Sequence, residues 1–119
     1  MYESYFHSDD EHYFMVHSEL KASRPTLLFI HGLGDAHIDM LPYLNSSLAQ
    51  HYNILIPDLL GYGKSSSGKD YSFQHQVEGI KNHLDYLQKK LNPTKCLAST
   101  LSLFFVSIFS EEWRQSLRN

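Results

Sequence analysis

Apolar residues in this chain come in short unbroken runs, parted by polar or glycine-bearing segments, and once in a long helical stripe. Tyr5-Phe6-His7 and Tyr13-Phe14-Met15-Val16 flank the polar group Ser8 to Glu11, a pattern that predicts a β-hairpin. Arg24-Pro25 breaks the chain before Thr26-Leu27-Leu28-Phe29-Ile30. A run apolar on both faces predicts a central strand buried between helices. Asp39 to Gln50 carries Met40, Tyr43, Leu44 and Leu48 at helical spacing, with Asp39 as the expected N-cap and Pro42 in the first turn. Asn53-Ile54-Leu55-Ile56 predicts a second buried strand, closed by Pro57-Asp58, and Leu59 to Asp70 reads as loop. From Ser72 to Leu91, Phe73, Val77, Ile80, Leu84, Leu87 and Leu91 fall on one helical face, with Ser72 as cap and Lys89 and Lys90 at the C-terminal dipole. Asn92-Pro93 ends this helix, and Thr94 to Ala98 is expected to begin a third strand. The sum is an α/β chain: a leading hairpin, then βαβαβ with mostly parallel strands.

Composition narrows the class. The chain has 119 residues, 42% hydrophobic and 13% aromatic, which fits one small domain or one piece of a larger one. Its formal net charge is −3, with no basic run, so nucleic acid and anionic membranes are not expected partners. A single cysteine, Cys96, allows no intrachain disulfide and fits a reducing compartment. Met1 to Glu11 lacks the basic and apolar regions of a signal peptide, and Leu97 to Phe109 is too short to span a membrane, so a cytoplasmic location is expected.

Two loops carry the candidate chemistry. The first is His31-Gly32-Leu33-Gly34-Asp35, directly after the Leu27 to Ile30 run. Glycines there serve a tight βα turn, or leave N–H groups free to hold a developing oxyanion; spacing alone leaves both readings open. The second is Pro57-Asp58-Leu59-Leu60-Gly61-Tyr62-Gly63-Lys64-Ser65. Gly63-Lys64-Ser65 matches the end of a phosphate-binding P-loop, but Asp58 stands where that motif needs glycine, and Ser66 to Asp70 separate Lys64 from the helix. A dinucleotide fingerprint fails at Ser66, where a third glycine belongs. The remaining reading is a structural loop in which Asp58 bonds neighbouring N–H groups.

Taken in order, strand-His31-Gly32-Leu33-Gly34, a helix, then strand-Pro57-Asp58-x-x-Gly61-x-Gly63-x-Ser65, the chain resembles the α/β-hydrolase family over roughly residues 12 to 96. The resemblance implies that the Leu33 N–H is one half of an oxyanion hole flanked by Gly32 and Gly34. It makes His31 and Asp58 scaffold residues, with Gly61 and Gly63 permitting the turn at the active-site mouth. It implies a small ester- or amide-like substrate and no cofactor, and is silent on oligomeric state.

The same resemblance requires a Gly-x-Ser-x-Gly elbow after the next strand, expected at Lys95-Cys96-Leu97-Ala98. Ser99 is flanked at two positions by Leu97 and Leu101, Ser102 by Thr100 and Phe104, and no glycine follows Gly79. Cys96 lacks the same glycine frame and reads as a small buried hydrophobe. No histidine follows His83. The family's nucleophile, acid and base are therefore not expected here, and the chain reads as one partial domain over 1–119 with an atypical tail at 97–119. A frameshift or early stop is the expected cause, in which case neighbouring DNA in another frame encodes the elbow soon after the Cys96 codon. Leu101 to Phe109 is a candidate hydrophobic helix to cover the exposed sheet edge. Two alternatives stand beside the incompetent hydrolase: a nucleotide-binding domain, and a domain that acts only with a partner. The eight histidines show no metal-ligand spacing and read as surface residues.

Overall fold

The computed structural model describes residues 1–21, 23–32, 34–91 and 103–107. The two aromatic runs close on each other first: β1 (Tyr2–Ser8) and β2 (Glu11–His17) pair antiparallel in register from Tyr2↔His17 to Ser8↔Glu11. Their turn places Asp9 at φ 53°, a left-handed conformation that a short polar side chain tolerates.

The two apolar runs become the sheet's interior. Every residue of β3 (Thr26–Ile30) and of β4 (Asn53–Asp58) is buried. With β5 (Leu103–Ser107) they form a five-stranded sheet in the order β1-β2-β4-β3-β5. β3 runs parallel to β4 and to β5, while β2 is antiparallel to both β1 and β4, so β2 alone runs against the rest. The expected third strand over Thr94 to Ala98 lies outside the described residues. Leu103–Ser107, inside the segment expected to form a covering helix, is instead the strand beside β3. The open ladder of β3 needs N–H and C=O partners, and the aromatic and β-branched sequence there suits a strand.

Alternation along the strands divides the core into two layers. Phe14, Val16, Phe29, Ile54 and Ile56 pack on one face with Met40, Tyr43 and Leu48. Met15, Leu28, Ile30 and Leu55 pack on the other with Ile80 and Leu87.

The helix expected over Asp39 to Gln50 is broken into three short pieces: a 3₁₀ turn at His37–Met40, α1 at Leu41–Leu44, and a 3₁₀ turn at Ser47–Gln50. Ser46 accounts for the break, because its hydroxyl donates to the Tyr43 carbonyl (2.7 Å) and accepts from the Leu48 N–H (3.3 Å), competing with the helical ladder. Asp39 is not the N-cap. It sits one turn in, and its carboxylate accepts the Ala36 N–H at 3.0 Å.

Helix α2 (Phe73–Leu91) is capped by Ser72, whose hydroxyl accepts the His75 N–H at 3.2 Å. Its buried side is rotated from the purely apolar stripe. Gln76, Gly79, Ile80, His83 and Leu87 face the sheet, whereas Phe73 is 38% exposed. Gly79 admits the Tyr13 ring, which occupies the space a Cβ would need. His83 stacks on Phe6, and its Nε2 lies 2.8 Å from the Ser4 hydroxyl, but its buried Nδ1 has no partner.

Burial pushes the His83 imidazole down to about 4 from its ordinary 6.5. The unfolded chain therefore binds the extra proton first as pH falls below 6.5, while the folded chain resists until about 4. The stability His83 contributes is present above pH 6.5 and lost through that window, up to about 3 kcal/mol. Urea unfolding at stepped pH should show this loss, and His83→Gln, which keeps a partner for Ser4 but does not titrate, should flatten it. Parallel curves for the two chains would contradict the assignment.

Candidate active-site scaffold

The carboxyl ends of β3 and β4 lead into the two glycine-bearing loops, and a single carboxylate joins them. Asp58, the last residue of β4, is 1% exposed. One of its carboxylate oxygens accepts the His37 N–H at 2.6 Å. The other accepts the His37 ring Nδ1–H at 2.7 Å and the Lys64 N–H at 2.9 Å. The segment after β3 and the segment after β4 thus close on the same two oxygens.

Ser65 completes the fastening. Its hydroxyl donates to the Asp58 carbonyl (2.7 Å) and accepts the Phe14 N–H (2.9 Å), bridging a facing pair of β2 and β4. Beyond it Ser66 takes over as the partner of β2: its N–H donates to the His12 carbonyl and its hydroxyl accepts the His12 N–H, both at 2.9 Å. On the α2 side the Gln76 amide pairs with the Leu60 backbone in both directions. Glu11 accepts the Lys69 N–H at 2.9 Å and lies 2.9 Å from His75 Nε2.

Gly61 donates its N–H to the Ser66 carbonyl at 2.8 Å, closing the turn. Gly63, at φ 52°, has a further reason to be glycine: a Cβ there would sit inside the Asp58 carboxylate. The loop can wrap the carboxylate only where the side chain is a hydrogen atom.

His31, the residue after β3, is fully buried. Its Nε2 accepts the Leu59 N–H at 3.0 Å, and its Nδ1 lies 2.8 Å from the Gly32 carbonyl. Gly32 also accepts the Asp35 N–H at 3.1 Å, and Gly34 lies in that turn at φ 83°. Leu33 lies outside the described residues, as do Cys96, Ser99 and Ser102.

The expectation of surface histidines fails at four positions. His17, His31, His37 and His83 are buried, each with at least one hydrogen-bond partner, although the Nδ1 of His83 has none. His37 is the site residue that sequence reasoning missed, because its role depends on a residue 21 positions away. Among the described residues, no group of three or more His, Cys, Asp or Glu side chains is placed to hold a metal ion. The loop also differs from a phosphate cradle. The Lys64 N–H is taken up by Asp58, and α2 starts at Phe73 rather than at Lys64. No helix among the described residues is long and apolar enough to cross a membrane.

A family model described as alpha/beta hydrolase fold matches residues 25–97, and the chain belongs to that family. An uncharacterized protein of Mycobacterium tuberculosis is 35% identical over 69 residues, covering 57% of this chain and 20% of that protein. An epoxide hydrolase from Vigna radiata superposes with a TM-score of 0.64 at 18% identity, over 89% of this chain and 31% of its own. An N-acyl homoserine lactonase superposes with a TM-score of 0.57 at 22% identity, over 76% of this chain and 33% of its own. At such identities the structural likeness establishes the fold alone. The chain spans about a fifth of the length of the curated relatives it matches and about a third of these solved structures.

Gly34 and Gly63, two of the three positive-φ glycines among the described residues, should respond differently to alanine. Gly34→Ala meets nothing within 4 Å and should cost only the backbone strain, about 1 kcal/mol. Gly63→Ala must also displace the Asp58 carboxylate and should cost about 3 kcal/mol or more. Thermal unfolding by circular dichroism checks this; equal losses for the two variants would contradict the role given to Gly63.

Proposed function

We propose that these 119 residues form a single partial domain, 1–119, that supplies the scaffold and oxyanion side of a hydrolase's active site and does not hydrolyse by itself. The observation that carries the reading is the Gly32 carbonyl, which is held by two donors at the end of β3, at the carboxyl edge of the parallel strands. An amide that follows a fixed carbonyl is pre-oriented, and a pre-oriented N–H is what a developing oxyanion requires. That amide belongs to Leu33. Gly32 and Gly34 flank it in sequence, and Asp58, Gly61, Gly63 and Ser65 hold the facing loop.

The substrate class we assign is a small molecule with an ester-, amide- or similarly polarised bond. The matched solved proteins support this breadth, since one is named for epoxides and another for a lactone. The chemistry of the whole family needs a nucleophile and a base as well. Ser99 and Ser102 lack the glycine frame of an elbow, and no histidine follows His83. A lone oxyanion donor stabilises a charge that nothing in the chain generates. We assign no cofactor, and we place the protein in the cytoplasm on the strength of its single cysteine.

Incubation of the purified chain with a nitrophenyl acetate tests the reading. The expected rate equals that of a Ser99→Ala, Ser102→Ala double variant and of buffer. Turnover by the native chain that the double variant loses would overturn it.

A further inference from the structure

We propose that the cleft at the amino ends of β3 and β4 is a second binding site, for a small monocarboxylate with an apolar body, held by Arg24 and Lys21. Asn53 and Asp58 stand at the two ends of β4, about 16 Å apart at the rise of a strand, so this cleft is remote from the two glycine-bearing loops. It is independent of the hydrolase reading.

The cleft encloses about 430 Å³, enough for a small organic molecule. Lys21, Arg24 and Glu19 give it a charged wall, and Tyr2, Leu44 and Ala49 an apolar one. Among the described residues, neither Lys21 nor Arg24 has a carboxylate within ion-pair distance. Arg24 is half-buried, and its Nη1 donates to the Ala49 carbonyl at 3.1 Å. Both residues line the cleft, so this bond holds the guanidinium at its wall and leaves the other fork donors for an incoming anion.

The backbone that carries the two cations is fixed from below. Asn53 is 1% exposed, between strand neighbours that are apolar. Its Oδ1 accepts the Lys21 N–H at 2.8 Å, and its Nδ2 donates to the carbonyls of Lys21 (2.9 Å) and Arg24 (3.1 Å). The Arg24 N–H closes a turn on the Lys21 carbonyl at 3.1 Å. Ser18, also in the lining, bonds Ile54 in both directions. A buried amide therefore sets both cations on one edge before any ligand arrives.

Charge balance selects the anion. Two cations against the Glu19 carboxylate leave one positive charge, which a monocarboxylate neutralises. A phosphate dianion would set a second negative charge against Glu19. The planar fork of Arg24 suits a carboxylate, and the apolar wall suits the carbon chain behind it.

Titration of the ¹⁵N-labelled 119-residue chain with sodium hexanoate, followed by ¹H–¹⁵N correlation, tests the site. Saturable shifts are expected at the amides of Ser18, Arg24, Asn45 and Ala49, with those of Gly61 to Ser65 unmoved. Hexanol and dianionic hexyl phosphate should each bind more weakly than hexanoate, by about threefold or more. Arg24→Gln should weaken hexanoate about tenfold, the loss of one charge-assisted hydrogen bond. No saturable shift with hexanoate, shifts centred on Gly61 to Ser65, equal or tighter binding of hexanol or hexyl phosphate, or unchanged affinity in Arg24→Gln would each overturn the proposal. If Arg24→Gln does not fold, Lys21→Gln decides, because the exposed Lys21 side chain has no hydrogen bond among the described residues. Weakening by about twofold or more then supports the site, and unchanged affinity overturns it.

Discussion

A carboxylate removed from water must recover in the protein the donors it has lost, and the geometry of those donors then becomes fixed. Asp58 imposes this condition on the chain. Its two oxygens collect the His37 N–H, the His37 ring and the Lys64 N–H. These groups come from different loops, so satisfying the charge brings the loops together. Charge-assisted hydrogen bonds of this kind contribute about 1.5–3 kcal/mol each, enough to order segments that bury little apolar surface of their own.

Polar side chains elsewhere repeat the arrangement on a smaller scale. The Ser65 hydroxyl sits where β2 and β4 part and serves a donor and an acceptor that would otherwise face each other unpaired. The Gln76 amide extends the same service from α2 to the Leu60 backbone, and Glu11 does so for Lys69. The loop from Leu59 to Asp70 is therefore built as a continuation of the sheet's hydrogen-bonding, carried by side chains instead of a strand. Gly63 follows from that design, since the backbone passes too close to the carboxylate for any side chain.

Where apolar burial alone decided the outcome, the sequence was a good guide. Thr26–Ile30 and Asn53–Asp58 are apolar on both faces and became the buried centre of the sheet. The hairpin followed from two aromatic-rich runs around a polar group, and the long helix from helical spacing and the Ser72 cap. The order of His31-Gly32, Asp58, Gly61, Gly63 and Ser65 was enough to bring the family resemblance into view. What escaped depended on long-range polar contacts. Ser46 interrupts a helix whose spacing was regular, and His37 and His83 are buried because Asp58 and Ser4 are there to receive them. Leu103–Ser107 lies in a segment expected to form a covering helix; the vacant ladder of β3 makes it a strand.

The matched proteins are several times longer than this chain, and fold likeness sets no substrate. What the chain itself holds is a hydrogen-bonded junction between two loops at the carboxyl ends of parallel strands. Amide hydrogen exchange resolved by residue tests that junction most directly. The His37 and Lys64 N–H groups lie outside the strands, yet in the native chain they should exchange as slowly as the amides of β4. Asp58→Ala should release both together, by roughly tenfold to a hundredfold, the equivalent of one charge-assisted hydrogen bond each. Fast exchange of either amide in the native chain, or unchanged protection in the variant, would contradict the account.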